Sequence, residues 1–161
     1  GPAKRWPHYH YAALAKKLID DGYQIALFGS AKDNEAGKEI IAALSSEQQA
    51  WCRNLAGETQ LEQAVILIAA CKAVVTNDSG LMHVAAALDR PLVALYGPSS
   101  PDFTPPLSHK ARVIRLITGY HKVRKGDAAE GYHQSLIDIT PERVLQELNE
   151  LLAEKTEHEE A

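Results

Sequence analysis

The 161 residues carry a formal net charge of −4, with 24% charged and 45% hydrophobic side chains, ordinary values for one globular domain with a proper core. That balance leaves no electrostatic footprint for nucleic acid, and no run of about 18 or more apolar residues is present to make a transmembrane segment. Cys52 and Cys71 stand apart without metal-ligand spacing and read as reduced thiols, as in a cytosolic protein.

The opening Gly1-Pro2-Ala3-Lys4-Arg5-Trp6-Pro7 reads as a loop entering a helix, and the chain is expected to be a fragment of a longer protein. Tyr11, Leu14, Leu18 and Ile19 recur at helical spacing, which predicts a helix over 9–21 stopped by Gly22. A short apolar strand over 24–28, a loop over 29–33 and a helix over 34–44 follow, with Ile40, Ile41 and Leu44 on one helix face. A strand over 51–55 leads into Ala56-Gly57-Glu58-Thr59, where Thr59 is placed to cap a helix over 60–71.

Ala73, Val74 and Val75 suit a strand covered on both faces. It ends abruptly in Thr76-Asn77-Asp78-Ser79-Gly80, and Asp78 or Ser79 is placed to cap a helix running through His83 to Leu88. Gly80 lets a ligand approach the backbone closely, and a helix N-terminus with unpaired N–H groups favours an anion. A second strand over 91–96 ends in Gly97-Pro98-Ser99-Ser100-Pro101, so two consecutive strands finish in Gly/Ser-rich loops on one edge. In an open parallel sheet that carboxyl edge is where ligands bind.

A strand over 111–116 and an irregular stretch over 118–132 precede Thr140-Pro141-Glu142, which starts a terminal helix by the cap-then-proline rule. Val144, Leu145, Leu148, Leu151 and Leu152 mark its buried face. Alternating strands and helices give an α/β class and a Rossmann-like, doubly wound parallel sheet. One domain is expected over 1–153, with a charged, frayed tail over 154–161. The cluster His8-Tyr9-His10-Tyr11 reads as packing and solvated surface, because His-x-His on a helix does not set both imidazoles on one face. No metal site is expected.

Five blocks in order carry a resemblance. They are the opening seven residues, Phe28-Gly29-Ser30-Ala31-Lys32-Asp33, Asn54-Leu55-Ala56-Gly57-Glu58-Thr59, Asn77-Asp78-Ser79-Gly80-Leu81-Met82-His83, and Tyr96-Gly97-Pro98-Ser99-Ser100-Pro101. Together they resemble the bacterial heptosyltransferases that build the lipopolysaccharide inner core, over essentially the whole chain. The resemblance implies the C-terminal, nucleotide-sugar-binding domain of a GT-B glycosyltransferase. It implies ADP-heptose as donor substrate, no further cofactor, and a lipopolysaccharide inner-core heptose (heptose I) as acceptor. Transfer would invert the anomeric carbon. The acceptor site and the catalytic base would lie in an N-terminal domain that this stretch does not contain, so the stretch alone is expected to be inactive. The setting implied is the cytoplasmic face of the inner membrane, with peripheral membrane contact.

The same resemblance assigns roles. Lys4 would meet the diphosphate, since ADP leaves with growing negative charge, while Arg5 reads as a surface charge. Asp78, Ser79 and Gly80 would offer N–H groups to the phosphates, Ser79 adding its hydroxyl and Asp78 either capping the helix or holding a sugar hydroxyl. His83, four residues after Ser79, either donates to a phosphate or packs beneath the loop. Ser30 and Asp33 follow a strand end, where an acidic residue either accepts from ribose hydroxyls or N-caps the next helix. Gly57 and Thr59 fall at the adenine. The alternative from another class is a non-catalytic adenine-nucleotide-binding module, or a remnant lacking its acceptor half.

Overall fold

The computed structural model describes residues 5–77, 80–96, 110–115, 132 and 134–160. They form two compact units, one over 8–66 and one joining 1–7 to 67–161.

The unit over 8–66 begins with α1 (His8–Asp20), whose Ala12, Leu14, Ala15, Leu18 and Ile19 are buried. Gly22 ends it at φ +95. Its N–H donates to Ile19 O at 2.9 Å and the Tyr23 N–H to Leu18 O at 3.0 Å, the paired bonds of a Schellman turn. β1 (Ile25–Leu27) pairs in parallel with β2 (Cys52–Asn54), Ile25 opposite Cys52 and Leu27 opposite Asn54. Between them lie a 3-10 turn (Ala31–Asp33), α2 (Asn34–Ala42) and α3 (Ser46–Gln49). The core joins Ala15, Ile19, Leu44 and Cys52, with Ile25, Leu27 and Ile41 packed against it. The predicted α2 face is therefore the one that is used.

Helix α3 has no counterpart in the sequence reading. Four residues carry no hydrophobic period, and what starts the helix is a reciprocal cap: Gln48 N–H donates to Ser45 Oγ and Ser45 N–H to Gln48 Oε1. Helix α4 (Leu61–Ala70) begins one residue later than predicted. Gln60 is its cap: the Gln60 carbonyl accepts the Ala64 N–H, and Gln63 Oε1 reaches back to the Gln60 N–H at 3.0 Å. Thr59 lies one residue ahead of that cap.

The other unit carries β3 (Val74–Asn77), α5 (Gly80–Ala87), β4 (Leu92–Tyr96), β5 (Ala111–Arg115), α6 (Gln134–Ile137) and α7 (Pro141–Glu160). Its strands run parallel in the order β3-β4-β5, Val74 opposite Leu92 and Leu92 opposite Ala111. The strand covered on both faces is β4, where Leu92 to Leu95 are all 0% exposed and both α5 and α7 pack. β3, expected to be fully covered, is half-buried along its length and sits at the side of this sheet. Helix α5 buries Met82, Ala85 and Ala86, and α7 buries Val144, Leu148 and Leu151, with Leu145 and Leu152 half-buried. Thr140 caps α7 as predicted, its Oγ1 accepting the Arg143 N–H at 3.1 Å with Pro141 as first helical residue. α7 runs on to Glu160, through the stretch expected to be a frayed tail.

Among the described residues every strand pairing is parallel and the elements alternate, so the class is α/β and Rossmann-like, as the sequence predicts. The pairings divide into a two-stranded sheet in one unit and a three-stranded sheet in the other.

Candidate functional site

In an α/β fold the carboxyl ends of parallel strands are the edge where ligands are held, and the unit over 8–66 has described loops after both of its strands. In the unit over 8–66, β1 runs into Phe28-Gly29-Ser30 and the 3-10 turn. The Ser30 N–H and hydroxyl both donate to Asp33 Oδ2, at 2.8 and 3.1 Å. The Asp33 side chain thus turns back on its own loop and makes no capping bond to α2, although Asp33 occupies the N-cap position. Ser30 is exposed and Asp33 half-buried.

The loop after β2 is tied to this one. Gly57 N–H donates to Gly29 O at 2.9 Å and Leu55 N–H to Leu27 O at 2.8 Å. Two asparagines complete the tie. Asn34 Nδ2 donates to Ala56 O at 3.0 Å, while Asn54 Nδ2 donates to Asn34 O at 3.2 Å and its Oδ1 accepts the Ala56 N–H at 3.1 Å. Ser30, Asp33 and Gly57 therefore belong to one cross-braced pair of loops, with Thr59 two residues along the same strand-end loop. Gly57 is exposed and Thr59 half-buried. The sequence alone assigns no role to Asn34 or Asn54; the available signal is an amide residue opening a helix, Asn34, and another ending a strand, Asn54.

In the other unit, α5 opens at Gly80 three residues after β3 ends at Asn77. That strand-turn-helix placement is the one the sequence predicts. His83 is exposed while its neighbours Met82, Ala85 and Ala86 are buried. Among the described residues it has no hydrogen-bond or ion-pair partner. Lys4, Asp78, Ser79 and the Gly97–Pro101 loop lie outside the described residues.

Trp6 and Asn77 were singled out only as letters of motif blocks, yet they bond to each other: the Trp6 N–H donates to Asn77 Oδ1 at 2.7 Å. The Trp6 ring is 1% exposed, with Nε1 donating to Ile139 O at 2.8 Å. Neither thiol is activated as a nucleophile, since burial favours the protonated form of each. Burial pushes Cys52 up to about 11, and burial also raises Cys71 against the opposing charge of Arg90. Among the described residues no group of three or more His, Cys, Asp or Glu is placed to hold a metal ion, and no helix is long and apolar enough to cross a membrane.

A parallel α/β fold with nucleotide-style strand-end loops is shared by many proteins; here the family is specific. Residues 1–133 match Glycosyltransferase family 9 (heptosyltransferase), and the chain belongs to that family. Over 155 residues it is 88% identical to Lipopolysaccharide heptosyltransferase 2 of Salmonella typhimurium and to the protein of the same name from Escherichia coli, covering 96% of this chain and 44% of each relative. It therefore spans less than half the length of the curated relatives it matches. The solved Escherichia coli ADP-heptose lps heptosyltransferase II superposes with a TM-score of 0.88 at 81% identity, over 97% of this chain and 44% of that one. A second Escherichia coli heptosyltransferase, solved with ADP-2-deoxy-2-fluoro heptose, gives a TM-score of 0.67 at 30% identity, over 92% and 39%.

Proposed function

We propose that this chain is the donor-binding half of an enzyme that transfers L-glycero-D-manno-heptose from ADP-heptose to heptose I of the lipopolysaccharide inner core. The observation that carries the reading is the 88% identity, sustained over 96% of the chain, to relatives named lipopolysaccharide heptosyltransferase 2. The solved relative holding ADP-2-deoxy-2-fluoro heptose supports an ADP-sugar as donor.

In this reading Lys4 and the N–H groups of Asp78, Ser79 and Gly80 receive the diphosphate, Ser79 adding its hydroxyl. Asp78 caps α5 or accepts from a sugar hydroxyl. The exposed His83 adds a donor one turn into the same helix. Ser30 and Asp33 serve the ribose, and Gly57 and Thr59 the adenine. The acceptor hydroxyl attacks the anomeric carbon opposite the departing ADP, so the configuration inverts. A base in the complementary N-terminal half takes the hydroxyl proton, and the bonding pair of the C–O bond leaves with the diphosphate. Lys4 and the helix N-terminus stabilise that growing charge, and neither metal nor cofactor takes part. The whole enzyme works at the cytoplasmic face of the inner membrane, where its lipid-borne acceptor is made. The isolated chain binds donor but does not turn over.

Titration calorimetry of the chain with ADP, UDP and GDP tests the assignment. ADP is expected to bind more tightly than either of the others, through the Gly57–Thr59 loop. Equal affinity for all three overturns the adenine assignment. Absence of binding favours a remnant without donor function. Heptose transfer by the pure chain overturns the division of labour.

A further inference from the structure

Ala56 is buried in the loop after β2, just before Gly57. Two asparagine side chains take both of its main-chain polar groups. Asn54 Oδ1 accepts its N–H at 3.1 Å, and Asn34 Nδ2 donates to its carbonyl at 3.0 Å. The two asparagines also meet each other, Asn54 Nδ2 donating to Asn34 O at 3.2 Å. Moving this loop would leave buried main-chain groups without partners. The loop after β1 is thereby held at both ends. Its Gly29 carbonyl accepts the Gly57 N–H at 2.9 Å, and Asn34 follows directly on the Ser30–Asp33 turn. Each asparagine donates to a carbonyl, which an aspartate in its place could not do.

Gly37, buried one turn along α2, makes room for this brace. A Cβ built there would stand 2.5 Å from Asn54 Oδ1 and 2.6 Å from its Cγ and Nδ2. The Asn54 amide keeps its place only because the facing helix residue has no side chain.

We propose that Asn34 and Asn54 are positioning residues for adenine selectivity. They hold the loop of Gly57 and Thr59 in one setting against the Ser30–Asp33 turn, so that base and ribose are met by loops that do not move independently. The proposal rests on the adenosine reading of those four residues.

Calorimetry on the chain with ADP, GDP and adenosine tests this in wild type, Asn34→Ala and Gly37→Ala, with melting curves to establish that each is folded. Asn34→Ala removes the donor to the Ala56 carbonyl. Gly37→Ala removes no polar group and raises helix propensity, but it displaces the Asn54 amide. Each variant is expected to weaken ADP and adenosine by the same factor, about tenfold, the loss of roughly one well-placed contact. Each is also expected to reduce the preference for ADP over GDP. A brace that serves stability alone lowers the melting temperature and leaves that preference untouched. A folded variant of either kind that keeps the wild-type preference overturns the proposal, whether its affinities are unchanged or ADP and GDP weaken alike. A larger loss for ADP than for adenosine places the effect at the phosphates and also overturns it. Gly37→Ala carries the test should Asn34→Ala unfold. Wild type that binds ADP and GDP equally, or binds neither, brings down the adenosine reading itself, and this proposal with it.

Discussion

The Gly57 N–H points at the Gly29 carbonyl, 2.9 Å away, and this bond draws the loop after β2 onto the loop after β1. The closeness is possible only without a side chain. Gly57 sits at φ +79, and a Cβ built there would stand 2.8 Å from the Ala31 Cα, a backbone atom that cannot swing aside.

Gly57→Ala therefore combines two penalties. A left-handed conformation costs a non-glycine residue about 1–2 kcal/mol, and the contact with Ala31 adds to it. A loss of roughly 2 kcal/mol or more in urea unfolding is expected, with weaker ADP binding because the strand-end loops no longer meet in the same way. A variant within about 0.5 kcal/mol of wild type would contradict this loop geometry.

Helix α5 ends in the same paired bonds as α1, Arg90 N–H to Ala85 O at 3.1 Å and Asp89 N–H to Ala86 O at 3.0 Å. Where α1 uses Gly22 at the left-handed position, α5 uses Asp89 at φ 53. Replacing Asp89 by Gly and by Ala removes the same carboxylate in both cases, so their difference isolates the backbone. Asp89→Gly is expected to be the more stable by about 1 kcal/mol. Equal melting temperatures for the two would show that the left-handed turn is not retained.

The elements that were legible in sequence are those with their own period or punctuation. Gly22 after the apolar spacing of α1, and Thr140-Pro141 before that of α7, each mark a boundary by local chemistry. Helix α3 was not legible because its cause is the Ser45–Gln48 cap and not a hydrophobic face. α6 is equally short, though it buries Ser135 and Leu136. At the candidate site, glycines and hydroxyl residues after strands announced the loops. The bonds that brace those loops did not show. Asn34 and Asn54 meet across 20 positions, and Trp6 and Asn77 across 71, and a single sequence carries no record of such pairings. The opposite error, reading Thr59 as a cap, arose because a hydroxyl residue before a helix fits two positions equally well until the Gln63 side chain chooses Gln60.

Cys52 makes stability depend on alkaline pH in a defined direction. The folded thiol keeps its proton to about 11, against an ordinary 9.0 for the exposed group, because burial disfavours the thiolate. Between those values the folded state binds more protons than the unfolded state, so stability falls as pH rises through this window. Below it both states are protonated and the thiol contributes no slope. Cys52→Ser does not titrate there, while Cys71, lysines and tyrosines are common to both chains. The stability advantage of wild type over Cys52→Ser is thus expected to be constant at neutral pH and to shrink from about pH 9 upward. Urea midpoints for both chains across that range provide the measurement, and a gap that stays constant or widens would show that Cys52 is not protonated in the buried site.

Lys4 carries the sharpest functional consequence of the donor reading. On that reading, ADP leaves the whole enzyme with more negative charge than it would hold in the ADP-sugar. A cation at the diphosphate is therefore worth more in the transition state than in the ground state. Such a group raises kcat more than it lowers donor KM. Lys4→Ala is expected to reduce kcat by about 10²–10³, the usual cost of one preorganised electrostatic contact, with a smaller change in KM. Lys4→Arg is expected to recover only part of the rate, since a guanidinium differs from an ammonium in reach and in donor geometry. A lysine that is only a solvated surface charge behaves differently. Its removal changes stability by no more than about 0.5 kcal/mol and leaves turnover intact. Steady-state kinetics on both variants, with melting curves to establish that each is folded, separate the two cases, and near-normal kcat and kcat/KM in folded Lys4→Ala would return Lys4 to the surface.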